Sequence, residues 1–203
     1  VGLFGLLETR IKSSKLQNNV FTTDGKWSIV TNYNQHSGGR IWLIWESKCY
    51  DLEDISIYSQ CIHVKVSDTT RKQSFWLTMV YGMNKASERD ELWKQLRLFR
   101  QRLTGAWCLM GDFNAISSMN ERLGGRTITI ADIQLMGQMI EDCEIEDLKA
   151  KGAFFTWNNK QNVEHLVYSR IDRVLINEEW LNQYPWSFAH FMPEGLYDHC
   201  PCI

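Results

Sequence analysis

Apolar residues come in short runs, and the polar residues between them either alternate with those runs or gather where glycine and asparagine mark turns. Val1 to Leu7 is an apolar opening run and is predicted to be a buried strand. Lys12 to Asn19 is a polar connection with room for a short helix. Trp27 to Val30 and Ile41 to Trp45 are predicted strands, separated by the turn chemistry of Asn32 to Arg40 with its Gly38-Gly39 pair. Ile55 to Tyr58 and Ile62 to Val66 alternate apolar with polar, as half-buried antiparallel strands do. A turn over Ser67 to Lys72 then leads into Phe75 to Tyr81, nearly all apolar and so central in its sheet.

The next pattern has the helical period. Leu92, Leu96, Phe99 and Leu103 form one stripe, with Ser87 as the expected N-cap, Glu88 and Glu91 in the first turn, and Gly105 as the stop. Arg97, Arg100 and Arg102 crowd the last turns, where the dipole favours cations, and read as a solvated face. A second helix starts near Ile130 behind Thr129, with Asp132 three residues on; Ile133, Met136, Ile140 and Cys143 are its stripe. Strands are predicted at Phe154 to Trp157, Leu166 to Tyr168, Ile171 to Ile176 and Ser187 to Phe191, and a short helix at Glu178 to Tyr184. Many hairpin-linked strands with two inserted helices predict an α+β domain of two sheets packed face to face with helices outside.

Composition narrows the picture little. The 203 residues suit one domain, 44% are hydrophobic, and the formal net charge is −2. That balance gives no bulk electrostatic argument for nucleic acid, although a local basic patch is compatible with it. No stretch approaches the ~20 apolar residues of a membrane span, and the apolar opening has neither the basic flank nor the cleavage site of a signal peptide. Of six cysteines, Cys61, Cys108 and Cys143 sit in apolar runs as small core residues. Cys200 and Cys202 have no second pair at zinc spacing, and nothing suggests a disulfide framework. Nine tryptophans are mostly core, with room for a few to stack on bases.

The chemistry gathers at strand ends. Ala106 to Met110 is a run buried on both faces, closed by Gly111, and Asp112 and Asn114 follow at its mouth, two apart and so pointing the same way. Glu8, Asp172 and Asp198 are acids at other strand ends, Tyr81 closes the strand before the first helix, and His199 adjoins Asp198. Asp172 interrupts an apolar run, and a buried carboxylate needs a partner; His199 suits it. Hard carboxylates with water suit magnesium or manganese, and such a set suits metal-assisted attack of water on a phosphodiester. Residue types alone do not select that chemistry over four surface acids.

The order of motifs does. Leu7-Glu8-Thr9, Val80-Tyr81-Gly82, Gly111-Asp112-Phe113-Asn114, Ser169-Arg170-Ile171-Asp172 and Asp198-His199 follow the order seen in the endonuclease/exonuclease/phosphatase superfamily, which includes DNase I and the exonuclease III-like apurinic endonucleases. Phe155-Thr156-Trp157-Asn158 followed by Ser169-Arg170-Ile171-Asp172-Arg173 most resembles the endonuclease domain of plant LINE-type non-LTR retrotransposons. The resemblance implies a single DNase I-like domain over 1–203, a four-layer α/β/β/α sandwich lacking its first and last strands. It implies hydrolysis of DNA with Mg²⁺, or Mn²⁺ in its place. In that picture Glu8 and Asp198 serve the metal. Asp112 activates water, Asn114 holds the phosphate, and Tyr81 stabilises its charge. His199, paired with Asp172, contacts the scissile phosphate, and Thr156 and Ser169 bind phosphate or support the site.

The partner implied is DNA, with no membrane, and in a full-length parent a fused reverse transcriptase; an intracellular, nuclear setting follows only from that substrate. Two departures stand out: Tyr197 where the family usually has Ser, and Met83 where it often has a small residue or proline. The alternatives are an exonuclease III-like apurinic endonuclease, a related phosphatase, or a catalytically inactive retroelement remnant.

Overall fold

A computed structural model describes residues 2–18 and 25–203, with the backbone alone for 16–18. Val1 of the predicted opening strand and Asn19 of the polar connection lie outside the described residues. Strands β1 (Leu3–Leu7), β2 (Trp27–Thr31) and β3 (Ile41–Glu46) make an antiparallel sheet in the order β1-β3-β2. After them come β4 (Tyr50–Ile57), β5 (Cys61–Asp68), β6 (Gln73–Tyr81), helix α1 (Asp90–Arg102) and β7 (Trp107–Asp112). The chain continues through β8 (Arg122–Leu123), α2 (Ile130–Cys143), β9 (Glu146–Asp147), β10 (Ala150–Gly152), β11 (Trp157–Asn158) and β12 (Tyr168–Ser169). It ends with β13 (Asp172–Ile176), α3 (Glu178–Gln183) and β14 (Ala189–Phe191). The main sheet runs β4-β5-β6-β7-β13-β9, antiparallel except where β6 and β7 lie parallel, joined through α1 as parallel neighbours must be.

Two cores follow from strand alternation. Leu77, Met79 and Tyr81 of β6, Cys108 of β7, and Val174 and Ile176 of β13 face Ile41 and Leu43 of the first sheet. Trp107 and Leu109 of β7, and Val80 and Leu175 beside them, face the other way onto Leu92, Trp93 and Leu96 of α1 and Met136, Met139 and Cys143 of α2. The run Ala106 to Met110 is thus a strand that serves both cores, and β6 is central, as its composition predicts. The fold is the DNase I-like α+β arrangement of two packed sheets. Both long helices cover one face. The six-residue α3 packs its Trp180 against the core between the sheets.

The local differences from the sequence reading have physical causes. Ser87 is no N-cap; it lies inside a 3₁₀ turn, Ala86–Arg89, ahead of α1. The buried Arg89 fixes that turn by donating to the carbonyls of Met83 (2.7 Å) and Asn84 (2.9 Å). The basic face of α1 is ion-paired across the helix pair, Arg97 with Asp142 (2.6 Å) and Arg100 with Glu144. Thr129 and Asp132 do form the capping box that opens α2. Strand β4 is longer than predicted because Asp51, Glu53 and Asp54 hide it from a hydrophobic pattern; it is a sheet edge with a register break between Glu53 and Ser56. All six cysteines are free, and burial pushes Cys61, Cys108 and Cys143 up to about 12, far from thiolate reactivity. No described helix is long and apolar enough to cross a membrane.

Candidate active site

Register builds the site. Tyr81 pairs with Asp112 across β6 and β7, and Asp112 pairs with Asp172 across β7 and β13. All three share the parity of the core-facing residues Met79, Met110 and Val174, so they form one row where the core between the sheets opens. Two glycines let the backbones close there. A Cβ on Gly111, at φ +134°, would sit 2.1 Å from the Val80 carbonyl oxygen, and one on Gly82 would sit 2.4 Å from that of Phe113.

Asp112 is 3% exposed. One carboxylate oxygen accepts from the Asn114 amide N–H and the other from its side-chain nitrogen, both at 2.8 Å. Asn114 holds a left-handed backbone (φ 50°), which this short polar side chain tolerates, and gives its second side-chain N–H to the Gly82 carbonyl (2.8 Å). Both N–H groups expected to hold a phosphate are therefore committed to the protein, and Asn114 positions Asp112. Burial, then the neighbouring Asp172 charge, raises the Asp112 carboxyl well above the usual carboxylate range.

Asp172 and His199 meet as expected. His199 Nδ1 lies 2.9 and 3.1 Å from the two oxygens of Asp172. Burial pushes this imidazole down, but the Asp172 hydrogen bond and charge, with Asp112 and Asp198 behind them, raise it to about 9. At neutral pH it is an imidazolium that donates from Nδ1 to Asp172 and keeps Nε2–H on the opposite edge of the ring. The backbone that presents it is pinned by a bridge between Trp157 and His199 and by Cys200 N–H donating to the Thr156 carbonyl (2.7 Å).

Thr156 and Ser169 are buried supports and do not face a substrate. The Thr156 hydroxyl accepts from the amides of Ile171 (3.1 Å) and Asp172 (2.9 Å), and the Ser169 hydroxyl accepts from Arg122 Nε (2.9 Å). The strand expected over Phe154 to Trp157 shrinks to Trp157–Asn158, although Thr156 N–H still donates to the Ser169 carbonyl (3.0 Å). Asp198 is exposed and accepts from the Trp157 indole (3.2 Å). Tyr197 points into solvent, 74% exposed.

Glu8 has company that sequence reasoning missed. Its Oε1 accepts from Arg40 (2.8 Å) and from the Tyr81 hydroxyl, and Arg10 lies 3.6 Å from Oε2. Burial and then Glu8 raise the Tyr81 phenol far above its ordinary range. The Arg40 guanidinium also lies over the Tyr81 ring, 5.5 Å from its centre. No local signal marks Arg40, which is 32 residues from Glu8 and sits in a glycine turn. Among the described residues no three of His, Cys, Asp and Glu converge as a metal would require. With Glu8 paired to arginine, Asp112 to Asn114, Asp172 to His199 and Asp198 to Trp157, the donor set as it stands does not fit a divalent ion.

The sequence model of the Endonuclease/Exonuclease/phosphatase family matches residues 27–193. Among curated proteins no sequence matches. Solved structures do share the fold. The endonuclease domain of TRAS1, a telomere-specific non-LTR retrotransposon, is 16% identical, with a TM-score of 0.68 over 87% of this chain and 78% of that one. The AP endonuclease LMAP from Leishmania major is 14% identical, with a TM-score of 0.72 over 99% and 77%. A mannosyl-6-phosphatase from Bacteroides thetaiotaomicron is 13% identical, with a TM-score of 0.62 over 99% and 83%. Identities this low speak to fold alone; the family match spans most of the chain and carries both long helices and the strands that set Tyr81, Asp112 and Asp172 in line, so the chain belongs to the endonuclease/exonuclease/phosphatase family.

Proposed function

We propose that this chain hydrolyses phosphodiester bonds in DNA as a nicking endonuclease of the retrotransposon kind. The single observation that carries the reading is the pairing of His199 with Asp172 directly across the strand from the buried Asp112. An imidazolium bonded to Asp172 and, across the strand, the carboxylate form of Asp112 give one proton donor and one proton acceptor in the same opening. His199 binds a phosphoryl oxygen through Nε2–H and supports the charge that develops there. Asp112 has lone pairs left after its bonds to Asn114, and takes the proton of the attacking water. Asp172 holds the imidazole ring in place, and Tyr81 shapes the wall. The resemblance of Phe155-Thr156-Trp157-Asn158 and Ser169-Arg170-Ile171-Asp172-Arg173 to a retrotransposon endonuclease domain favours DNA over a phosphorylated sugar as substrate.

The test is nicking of supercoiled plasmid by the folded chain, with Mg²⁺, with Mn²⁺ and with EDTA, beside Asp112→Ala and His199→Ala. Nicking that falls at least ~100-fold in each variant supports the reading. A folded wild-type chain that does not nick under any condition leaves the remnant.

A further inference from the structure

The wall of the opening on the Glu8 side is a cleft of about 430 Å³ lined by Glu8, Arg10, Lys12, Arg40, Tyr81 and Asn84 among others. Its charge is the reverse of what a cation site needs. Glu8 is the one carboxylate among the lining residues, against three cations. That carboxylate is already satisfied by Arg40 and the Tyr81 hydroxyl, with Arg10 close by. Arg10 and Lys12 are exposed and free to turn toward a ligand, while Arg40 is held in place by Glu8 and by the Tyr81 ring. A guanidinium fixed in this way presents its remaining N–H groups in a planar fork that matches a phosphate. A divalent ion approaching Glu8 would meet two guanidinium groups first, and like charge disfavours it.

We propose that this cleft is a phosphate-group site, in which Arg40 stands where a metal ion would and Arg10 and Lys12 close over the anion. That the phosphate belongs to a nucleic-acid strand rests on the nuclease reading; that the cleft takes an anion does not.

The experiment is a binding titration of the whole 203-residue chain with no turnover, following amide resonances by NMR. Inorganic phosphate and thymidylyl-thymidine, whose one phosphate is a diester, are separate arms, and Mn²⁺ is a third. Phosphate or the diester should shift the amides of Arg10, Lys12, Gly38, Arg40 and Tyr81, while Mn²⁺ should leave Glu8 unbroadened. Preference for the diester assigns the cleft to a strand interior; preference for inorganic phosphate assigns it to a strand end or monoester. Arg40→Gln should weaken anion binding at least tenfold and admit Mn²⁺ to Glu8. Lys12→Gln, on an exposed side chain that cannot unfold the protein, should weaken it severalfold. Mn²⁺ broadening of Glu8 and Tyr81 in the wild-type chain, with neither anion moving these amides, would overturn the proposal. Because nothing is turned over, a chain that binds anions but fails to nick plasmid sinks the nuclease reading alone.

Discussion

His199 Nδ1 sits 2.9 Å from Asp172, and Asp172 lies directly opposite Asp112 in the β7–β13 register. The imidazolium is thus bonded to one carboxyl group and feels the charge of a second on the adjacent strand, and the protonation of each depends on the others.

Asp172→Asn should bring the His199 pKa from about 9 down to or below the ~6.5 of a free imidazole, because burial still lowers it once the Asp172 hydrogen bond and charge are gone. At pH 7 the ring would be largely neutral, and nicking should fall by ~100-fold. A titration of the His199 ring protons checks the first outcome and plasmid nicking the second. The same pair sets an alkaline limb of stability. A pKa raised in the fold contributes stability that is fully present below the unfolded value, near 6.5, and is lost as pH rises through about 9. Asp112, also raised, acts in the same direction from lower pH. The loss due to His199 should be about 2 kcal/mol after solvent screening of this partly exposed ring, read by denaturant melts between pH 6.5 and 9.

His63 should govern the acid limb. Its ring is stacked between Trp76 and Phe99, with centres 5.0 and 4.0 Å away, and its Nδ1 lies 2.7 Å from the Thr78 hydroxyl. The same hydroxyl accepts from the Trp107 indole (2.8 Å), so the ring sits in a closed, buried set of partners. Burial lowers the ring to about 4. A depressed pKa contributes stability above the unfolded value that is lost as pH falls from about 6.5 through about 4, here up to about 3 kcal/mol. His63→Phe should flatten the thermal-melting profile over that window; an unchanged acid limb would rule His63 out as its source.

Asn114→Gly should be less damaging than Asn114→Ala. Both remove the bonds to Asp112 and Gly82, but alanine must also hold φ near 50°. The difference should be about 1 kcal/mol in chemical denaturation. Both variants should lose activity alike, since both release Asp112.

Arg173→Met should cost about 3 kcal/mol, because it takes from the buried Glu121 its closest cation and leaves Arg170, 3.7 Å away, and the Ser117 and Ser118 amides as its remaining partners. The Arg173 guanidinium is fully buried and bonded to Glu121, to Asp147 (2.8 Å) and to the Ser117 hydroxyl (3.0 Å). Adding Glu121→Gln to that background should recover part of the loss, and a double-mutant cycle measures the coupling.

What the sequence discloses here depends on distance along the chain. Asp172 announces itself because a carboxylate in an apolar strand needs a partner, and His199 is that partner. Thr129 and Asp132 are legible because a capping box is local. Arg40 and Glu8, or Arg173 and Glu121, are joined only when the sheets are built, and each residue alone resembles an ordinary turn or surface charge. Ser87 misled because a buried arginine two residues on dictates the turn. Of the two roles expected for Thr156 and Ser169, binding phosphate or supporting the site, their engaged hydroxyls favour the second, and the side-chain N–H groups of Asn114 are engaged likewise, which spacing cannot show.

The row of Tyr81, Asp112 and Asp172 also has a history in time. Asp112 and Asp172 are separated by sixty positions and α2, and β7 reaches β6 only after α1 has crossed between them. Contacts so far apart in the chain close late, after local helices have formed. A partly folded chain would hold most of its helical signal and none of its chemistry. Activity should therefore vanish at lower denaturant than the far-ultraviolet signal wherever an intermediate is populated, because the site is complete only when the segment carrying His199 reaches Asp172 on β13.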